Sequence, residues 1–267
     1  MIAKTIMETQ FVKSVDGARI AYDVSGSGPA LILLHGGFVQ GKQSWHDAGY
    51  VERLSKDFQV ITIDLRGHGE SEKPVDIEAF GIQQIMDDVH TVADACHADH
   101  FSVWGFSYGA TIGLHLAASS RRVIKAVIVG SMFGRIFPEG YLENVILEME
   151  AIAVAQEEGR LDEQAFTPER QSFIAQNNLR VVMAAMGAMA SWRPIEPPDL
   201  LCPALVLAGS NNFPVASALA SHVEAIKAAG VELHIFDGLD HMQEFSEVET
   251  VMPVALSFLL SEIGFIP

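Results

Sequence analysis

The sequence predicts an α/β fold, a mostly parallel eight-stranded sheet with helices on both faces and a helical cap inserted late in the chain. Three observations predict it. Short continuous apolar runs, such as Ala30 to Leu34 and Val123 to Val129, read as strands buried on both faces of a sheet. These runs alternate with stretches of helical apolar spacing, the rhythm of a parallel sheet covered by helices. Between Ser131 and Pro198 the alternation stops and the periodicity is helical only, after which the rhythm resumes.

In chain order, residues 11–24 alternate in the strand manner around Asp16-Gly17, a hairpin turn, and Ser25-Gly26-Ser27-Gly28-Pro29 breaks the pattern. The strand Ala30 to Leu34 runs into His35-Gly36-Gly37. The strand Phe58 to Ile63 runs into Asp64-Leu65-Arg66-Gly67-His68-Gly69-Glu70-Ser71. Residues 81–96 read as a helix, 101–104 as a strand, and Val123 to Val129 as another. Within the interruption, helical patterns cover 139–158 and 168–191, closed by Pro194, Pro197 and Pro198. Strand Ala204 to Ala208, helix 215–229, strand Val231 to Phe236 and a last helix near 247–263 follow. The expected division is a core of 1–130 with 199–267, and a cap of 131–198.

The chain has 267 residues, 49% of them hydrophobic and spread along its length, so one large domain with an insertion can bury a sizeable core. Its formal net charge is −17 and it has no basic cluster, which argues against nucleic acid or an anionic membrane surface as partner. Cys96 and Cys202 match no metal spacing and read as two free thiols in a reducing compartment. Met1 to Phe11 lacks a signal-peptide apolar core, and no apolar run reaches the length of a membrane span. The expectation is a soluble, cytoplasmic protein with no cofactor and no metal. The sequence says nothing of oligomeric state.

The chemistry centres on Gly105-Phe106-Ser107-Tyr108-Gly109, between the strand that begins at Phe101 and an Ala/Leu-rich helical stretch. A strand passing through a sharp G-x-S-x-G turn into a helix is the setting of a nucleophile elbow. The flanking glycines let strand and helix pass closely while the central residue takes a strained conformation. The N–H of Tyr108 then lies at a helix N-terminus, where it can meet an anion.

With His35-Gly36-Gly37 after one early strand, Asp64 to Ser71 after the next, the elbow, and Asp240-His241 after the last strand, the chain resembles the α/β-hydrolase superfamily over about residues 11–263. The resemblance is to compact bacterial members with a helical cap, esterase- or lactonase-like. It implies Ser107 as nucleophile and His241 as the base that takes its proton, since a serine hydroxyl is a poor nucleophile unaided. It implies an oxyanion hole of the Tyr108 and Gly37 N–H groups, with Phe38 as the alternative to Gly37. His35 and His68 sit where family members brace loops. Haloalkane dehalogenases and epoxide hydrolases place an aspartate where this chain has Ser107, which sets their chemistry aside. No P-loop lysine or dinucleotide glycine spacing is present.

One position departs from the family. The acid that orients the histidine usually follows the second-to-last strand, and the matching residue here is Asn212. Its amide oxygen can accept the imidazole Nδ1–H but supplies no charge. In serine proteases an Asp→Asn change in this role lowers turnover by roughly 10⁴. The adopted expectation is a slowed enzyme with Asn212 in the acid position. The strand ending at Val129 is followed by Ser131, Met132 and Phe133, which offer no carboxylate. Asp237, Asp240 and Glu244 are near neighbours of His241, and such neighbours rarely point back at the ring.

For the pocket, Phe38, Phe133, Phe137, Met183, Met186, Trp192 and Met242 are the candidate walls, Ile136, Phe173 and Met189 are further apolar residues of the cap, and Arg180 and Asn177 are candidates for a polar substrate end. The function that follows is a carboxylic-ester hydrolase acting on a small-molecule, mainly apolar ester or lactone. A carbon–carbon bond or enol-lactone hydrolase on the same site, and a non-catalytic ligand-binding or signalling homologue, are the alternatives.

Overall fold

The computed structural model describes residues 8–38 and 40–262. The segment of the N-terminus up to residue 7, read above for a signal peptide, and position 263 of the last helix lie outside the described residues.

A hairpin of β1 (Gln10–Lys13) and β2 (Arg19–Ser25) opens the sheet, turning at Gly17 with φ +92°. Six more strands follow: β3 (Ala30–Leu34), β4 (Gln59–Ile63), β5 (Phe101–Phe106), β6 (Val123–Val129), β7 (Ala204–Gly209) and β8 (Glu232–Phe236). Their spatial order is β1-β2-β4-β3-β5-β6-β7-β8. β1–β2 and β2–β4 pair antiparallel and every later pair is parallel. The expected eight-stranded, mostly parallel sheet is therefore present.

The continuous apolar runs are explained by the two faces they serve. Along β3, Ile32 and Leu34 join one core with Val89, Ile112 and Leu116 of the helices Ile82–Ala95 and Tyr108–Ser119. Leu31 and Leu33 point the other way, into a core with Trp45, Tyr50, Trp104, Phe245 and Val251. Side chains alternate across a strand, so a strand covered on both sides has no polar position to spare.

Several helices differ from expectation. Lys42–Asp47 and Tyr50–Leu54 carry no clear helical signature in the sequence, because only Trp45, Tyr50, Val51 and Leu54 are apolar anchors in a largely polar stretch. The span 168–191 is two helices, Pro168–Gln176 and Leu179–Met189; Asn178 breaks it by accepting a hydrogen bond from the Arg180 N–H and so starting the second. The span 215–229 divides at His222 into Phe213–Ser221 and Val223–Ala228.

Between β6 and β7 the chain is helical: Tyr141–Glu157, Pro168–Gln176 and Leu179–Met189. These helices bury a core of their own, with Leu142, Met149, Ile152, Ile174 and Val182. An antiparallel bridge between Gly134 and Ile195 ties the two ends of the insertion together.

Candidate active site

The elbow forms where β5 meets the helix Tyr108–Ser119. Ser107 has φ +52° and ψ −111°, a conformation that L-residues rarely adopt. A Cβ on Gly105 would lie 2.3 Å from Gly109 O, and one on Gly109 would lie 2.2 Å from Leu34 O. Both glycines are therefore fixed by backbone on backbone. Hydrogen bonds from Ser107 N to Val129 O at 2.8 Å and from Gly109 N to His35 O at 3.1 Å lock the turn between β6 and β3.

His241 follows β8, and its Nε2 lies 2.9 Å from Ser107 Oγ. The imidazole stacks on Phe106, ring centroids 5.0 Å apart and planes 24° apart. The residue between the first elbow glycine and the serine thus serves as a floor for the ring.

Asn212 does reach His241, but not in the manner expected. Its Nδ2, not its oxygen, faces the ring, 3.0 Å from Nδ1. The same Nδ2 donates to both oxygens of Glu244, at 3.0 and 3.1 Å. Glu244 is wholly buried, with Oε2 3.1 Å from His241 Nδ1 and Oε1 accepting the Gly209 N–H at 2.6 Å. A near neighbour of His241 does point back at the ring. Residues 241–246 wind into a helical turn, with Glu244 N donating to Asp240 O, and positions three apart on such a turn share a face.

The loops around the elbow are braced by two neutral histidines. Burial drives the pKa of His35 down to about 4; burial, then the neighbouring His35, drives that of His68 down to about 3. In each ring Nδ1 lies against a carbonyl, Gly36 O at 2.6 Å and Arg66 O at 3.0 Å, so Nδ1 carries the proton. The bare Nε2 atoms then accept N–H groups, from Leu65 at 3.0 Å and from Phe38 at 2.8 Å. That bond commits the Phe38 N–H to His68 and removes Phe38 as the alternative oxyanion donor. Gly37 remains, set close against the elbow: a Cβ there would lie 3.5 Å from Tyr108 Cβ.

Because both rings are protonated more readily in the unfolded chain, near pH 6.5, than in the fold, the stability they confer is full above that pH. It is lost as pH falls toward about 4 for His35 and about 3 for His68. The variant His68→Asn is expected to lose stability less steeply across this window, by about 1.4 kcal/mol per pH unit. Denaturant titrations at a series of pH values check this, and parallel slopes for the two proteins would refute it.

Over Ser107 lies a cavity of about 520 Å³, lined by Phe38, Phe137 and Met186 and by the cap residues Ile136 and Met189, and also by Met132, Tyr141 and Val215. Four expected wall residues are elsewhere. Phe133 is buried in the core under the sheet face, and Met183 belongs to the insertion's own core. Trp192 stacks on Tyr108, centroids 5.8 Å apart, and is not in the cavity lining, and Met242 faces solvent, 53% exposed. Arg180 pairs with Glu150 and Glu157, and Asn177 donates to Phe173 O, so neither serves the cavity. No lysine or arginine is among the described residues lining it.

Cys96 and Cys202 are unpaired thiols, their pKa values pushed up to about 11 and about 12 by burial. Among the described residues no helix is long and apolar enough to cross a membrane.

The profile of the alpha/beta hydrolase family matches residues 31–251. A soluble epoxide hydrolase of Corynebacterium sp. is 30% identical over 127 residues, 47% of this chain and 42% of that protein. A pimeloyl-(acyl-carrier protein) methyl ester esterase of Xanthomonas campestris is 38% identical over 102 residues, 38% of this chain and 36% of that protein. The chain spans less than half the length of these curated relatives. Among solved structures, the enol-lactonase from Burkholderia xenovorans superposes with a TM-score of 0.75 at 21% identity, covering 94% of this chain and 100% of that one.

Proposed function

The chain belongs to the alpha/beta hydrolase family, and from that premise we propose that it is a serine hydrolase cleaving a carboxylic ester or lactone through an acyl-enzyme on Ser107. The observation that carries the reading is the 2.9 Å contact between Ser107 Oγ and His241 Nε2, made at an elbow whose strain aims the hydroxyl into the cavity. In the acylation step Oγ attacks the substrate carbonyl carbon as its proton passes to Nε2. The carbonyl oxygen becomes an oxyanion held by the N–H groups of Gly37 and Tyr108, an interaction worth several kcal/mol in a water-excluded site. The tetrahedral centre collapses, the C–O bond to the alcohol breaks, and the imidazolium gives that alcohol its proton. Water, activated by the same Nε2, then releases the acid and regenerates Ser107.

The insertion between β6 and β7 acts as a cap that supplies one wall of the cavity, through Ile136, Phe137, Met186 and Met189. A mainly apolar wall of this size, lacking a described lysine or arginine, favours a neutral acyl group over an anionic one. The matched esterase at 38% identity is consistent with this chemistry. A serine at the nucleophile position favours acyl transfer over epoxide opening by a carboxylate.

The test is covalent labelling with a fluorophosphonate probe, alongside hydrolysis of neutral aryl esters of increasing acyl length. Labelling and turnover are expected in the native protein and are expected to vanish in Ser107→Ala. A folded native sample that takes no label would overturn the enzyme and leave a ligand-binding member of the family.

A further inference from the structure

The acid that the sequence lacks at position 212 is present in space, carried by a different residue. We propose that Glu244 is the carboxylate that orients His241 and stabilises its imidazolium, and that Asn212 serves as a hydrogen-bond donor fixing Glu244. This rests on the serine-hydrolase reading above.

A carboxylate buried beyond the reach of water needs its lone pairs occupied. Those of Glu244 are: Oε1 accepts from Gly209 N at 2.6 Å and from Asn212 Nδ2 at 3.0 Å, and Oε2 lies 3.1 Å from both Asn212 Nδ2 and His241 Nδ1. For His241 to accept the Ser107 proton at Nε2, Nδ1 must carry the ring's hydrogen. That hydrogen and one Asn212 amide hydrogen then both point at Glu244, and the 3.0 Å approach of Nδ2 to Nδ1 is a contact of two donors around one acceptor. Turning the amide over would bring its oxygen to about 3 Å from the Glu244 carboxylate, two acceptors facing without a proton between them. The charge on Glu244 therefore sets the orientation of both neighbours.

It also explains why position 212 is an amide. An aspartate there would place a second carboxylate within hydrogen-bonding distance of Glu244, and two carboxylates so close share one proton instead of both ionising. With Glu244 in place, the family's usual acid would be a disadvantage.

Four proteins decide the matter: native, Glu244→Gln, Asn212→Asp and the double variant. The readouts are turnover of a neutral aryl ester, its pH profile, and the His241 pKa by NMR titration. Glu244→Gln is expected to lower kcat by roughly 10²- to 10⁴-fold, by comparison with loss of the orienting charge in serine proteases. It should also move the acidic limb of the kcat/KM profile, and the His241 pKa, to lower pH by about one unit or more, because the imidazolium loses its partner. Asn212→Asp is expected to be slower than the native protein. The double variant, with an acid at 212 and an amide at 244, is expected to recover at least tenfold over Glu244→Gln.

A rise in turnover in Asn212→Asp, or a Glu244→Gln protein within about threefold of native with its His241 pKa unmoved, would overturn the proposal. The NMR titration keeps the outcome independent of the function assigned above. A native protein without fluorophosphonate labelling would refute the hydrolase, while an unmoved His241 pKa would refute the pairing with Glu244. Should Glu244→Gln fail to fold, the Asn212→Asp rate still discriminates: a fall supports the proposal and a rise overturns it.

Discussion

Changing Gly130 to alanine is expected to lower ester turnover by roughly 10²-fold or more while the protein still folds. Gly130 follows β6 with φ +68°, its N–H bonded to Leu207 O at 3.0 Å. A methyl group on it would lie 2.5 Å from Glu244 Oε2, 2.9 Å from His241 Cε1 and 3.0 Å from His241 Nδ1. The closest clash is with the Glu244 carboxylate, so Glu244 must turn away from its bonds to Gly209 and Asn212, and the imidazole, crowded at two of its own atoms, must shift with it. The ring would then leave Ser107, and a displacement of about 1 Å at a proton-transfer geometry costs about two orders of magnitude. The left-handed backbone adds a penalty of about 1–2 kcal/mol to stability. Turnover measured beside a thermal melt separates the two effects: a modest fall in Tm with a collapse in kcat is expected, and native turnover in the alanine variant would show that the His241–Glu244 contact is not formed as described.

The same corner of the molecule marks what a sequence can and cannot disclose. The elbow was legible because everything that makes it is contiguous: a strand, two glycines, a serine and a helix within a few residues. Its partner His241 was legible by its place after the last strand. Glu244 was not, because its approach to the ring depends on residues 241–246 winding into a helical turn and on β7 presenting the Gly209 N–H from below. Only chain proximity was visible, and that argued the wrong way. Position 212 was correctly placed beside the ring, but which of its amide atoms faces Nδ1 is decided by the buried carboxylate behind it. The cavity walls failed for another reason. Helical spacing separates buried from exposed faces, yet Met183 and Met186 lie on one helix, are nearly equally buried and share the insertion's core, and only Met186 also lines the cavity. Phe38 is ambiguous as a donor in the sequence because the group that takes its N–H, His68, lies thirty residues on.

The loop that carries His68 rests on a buried ion pair, and breaking it is expected to cost about 3–5 kcal/mol of stability. Arg66 is 2% exposed and meets Asp88, equally buried, through Nη2–Oδ1 at 2.7 Å and Nε–Oδ2 at 2.9 Å. It also holds Asp16 beside the β1–β2 hairpin turn and the carbonyl of Ala79. The variant Arg66→Met keeps the apolar stem but leaves the Asp88 carboxylate desolvated and alone, a situation that costs about 3–5 kcal/mol. Burial already pushes the Asp88 pKa upward against the pull of Arg66, and without the guanidinium it rises further. The sign of the pH dependence follows. A group whose pKa is higher in the fold than in the unfolded chain takes up a proton on folding, so the variant's deficit is greatest near neutrality. It shrinks by up to about 1.4 kcal/mol per pH unit as the medium approaches the carboxylate range. Denaturant unfolding of both proteins between pH 7 and pH 4 reads this directly. Adding Asp88→Leu to Arg66→Met should recover much of the loss by replacing an unpaired charge with apolar packing. A deficit constant with pH, or a double variant no more stable than the single, would show that the Arg66 contacts to Asp16 and Ala79, and not the buried pair, hold the loop that positions His68 and, through the Phe38 N–H, the backbone around Gly37.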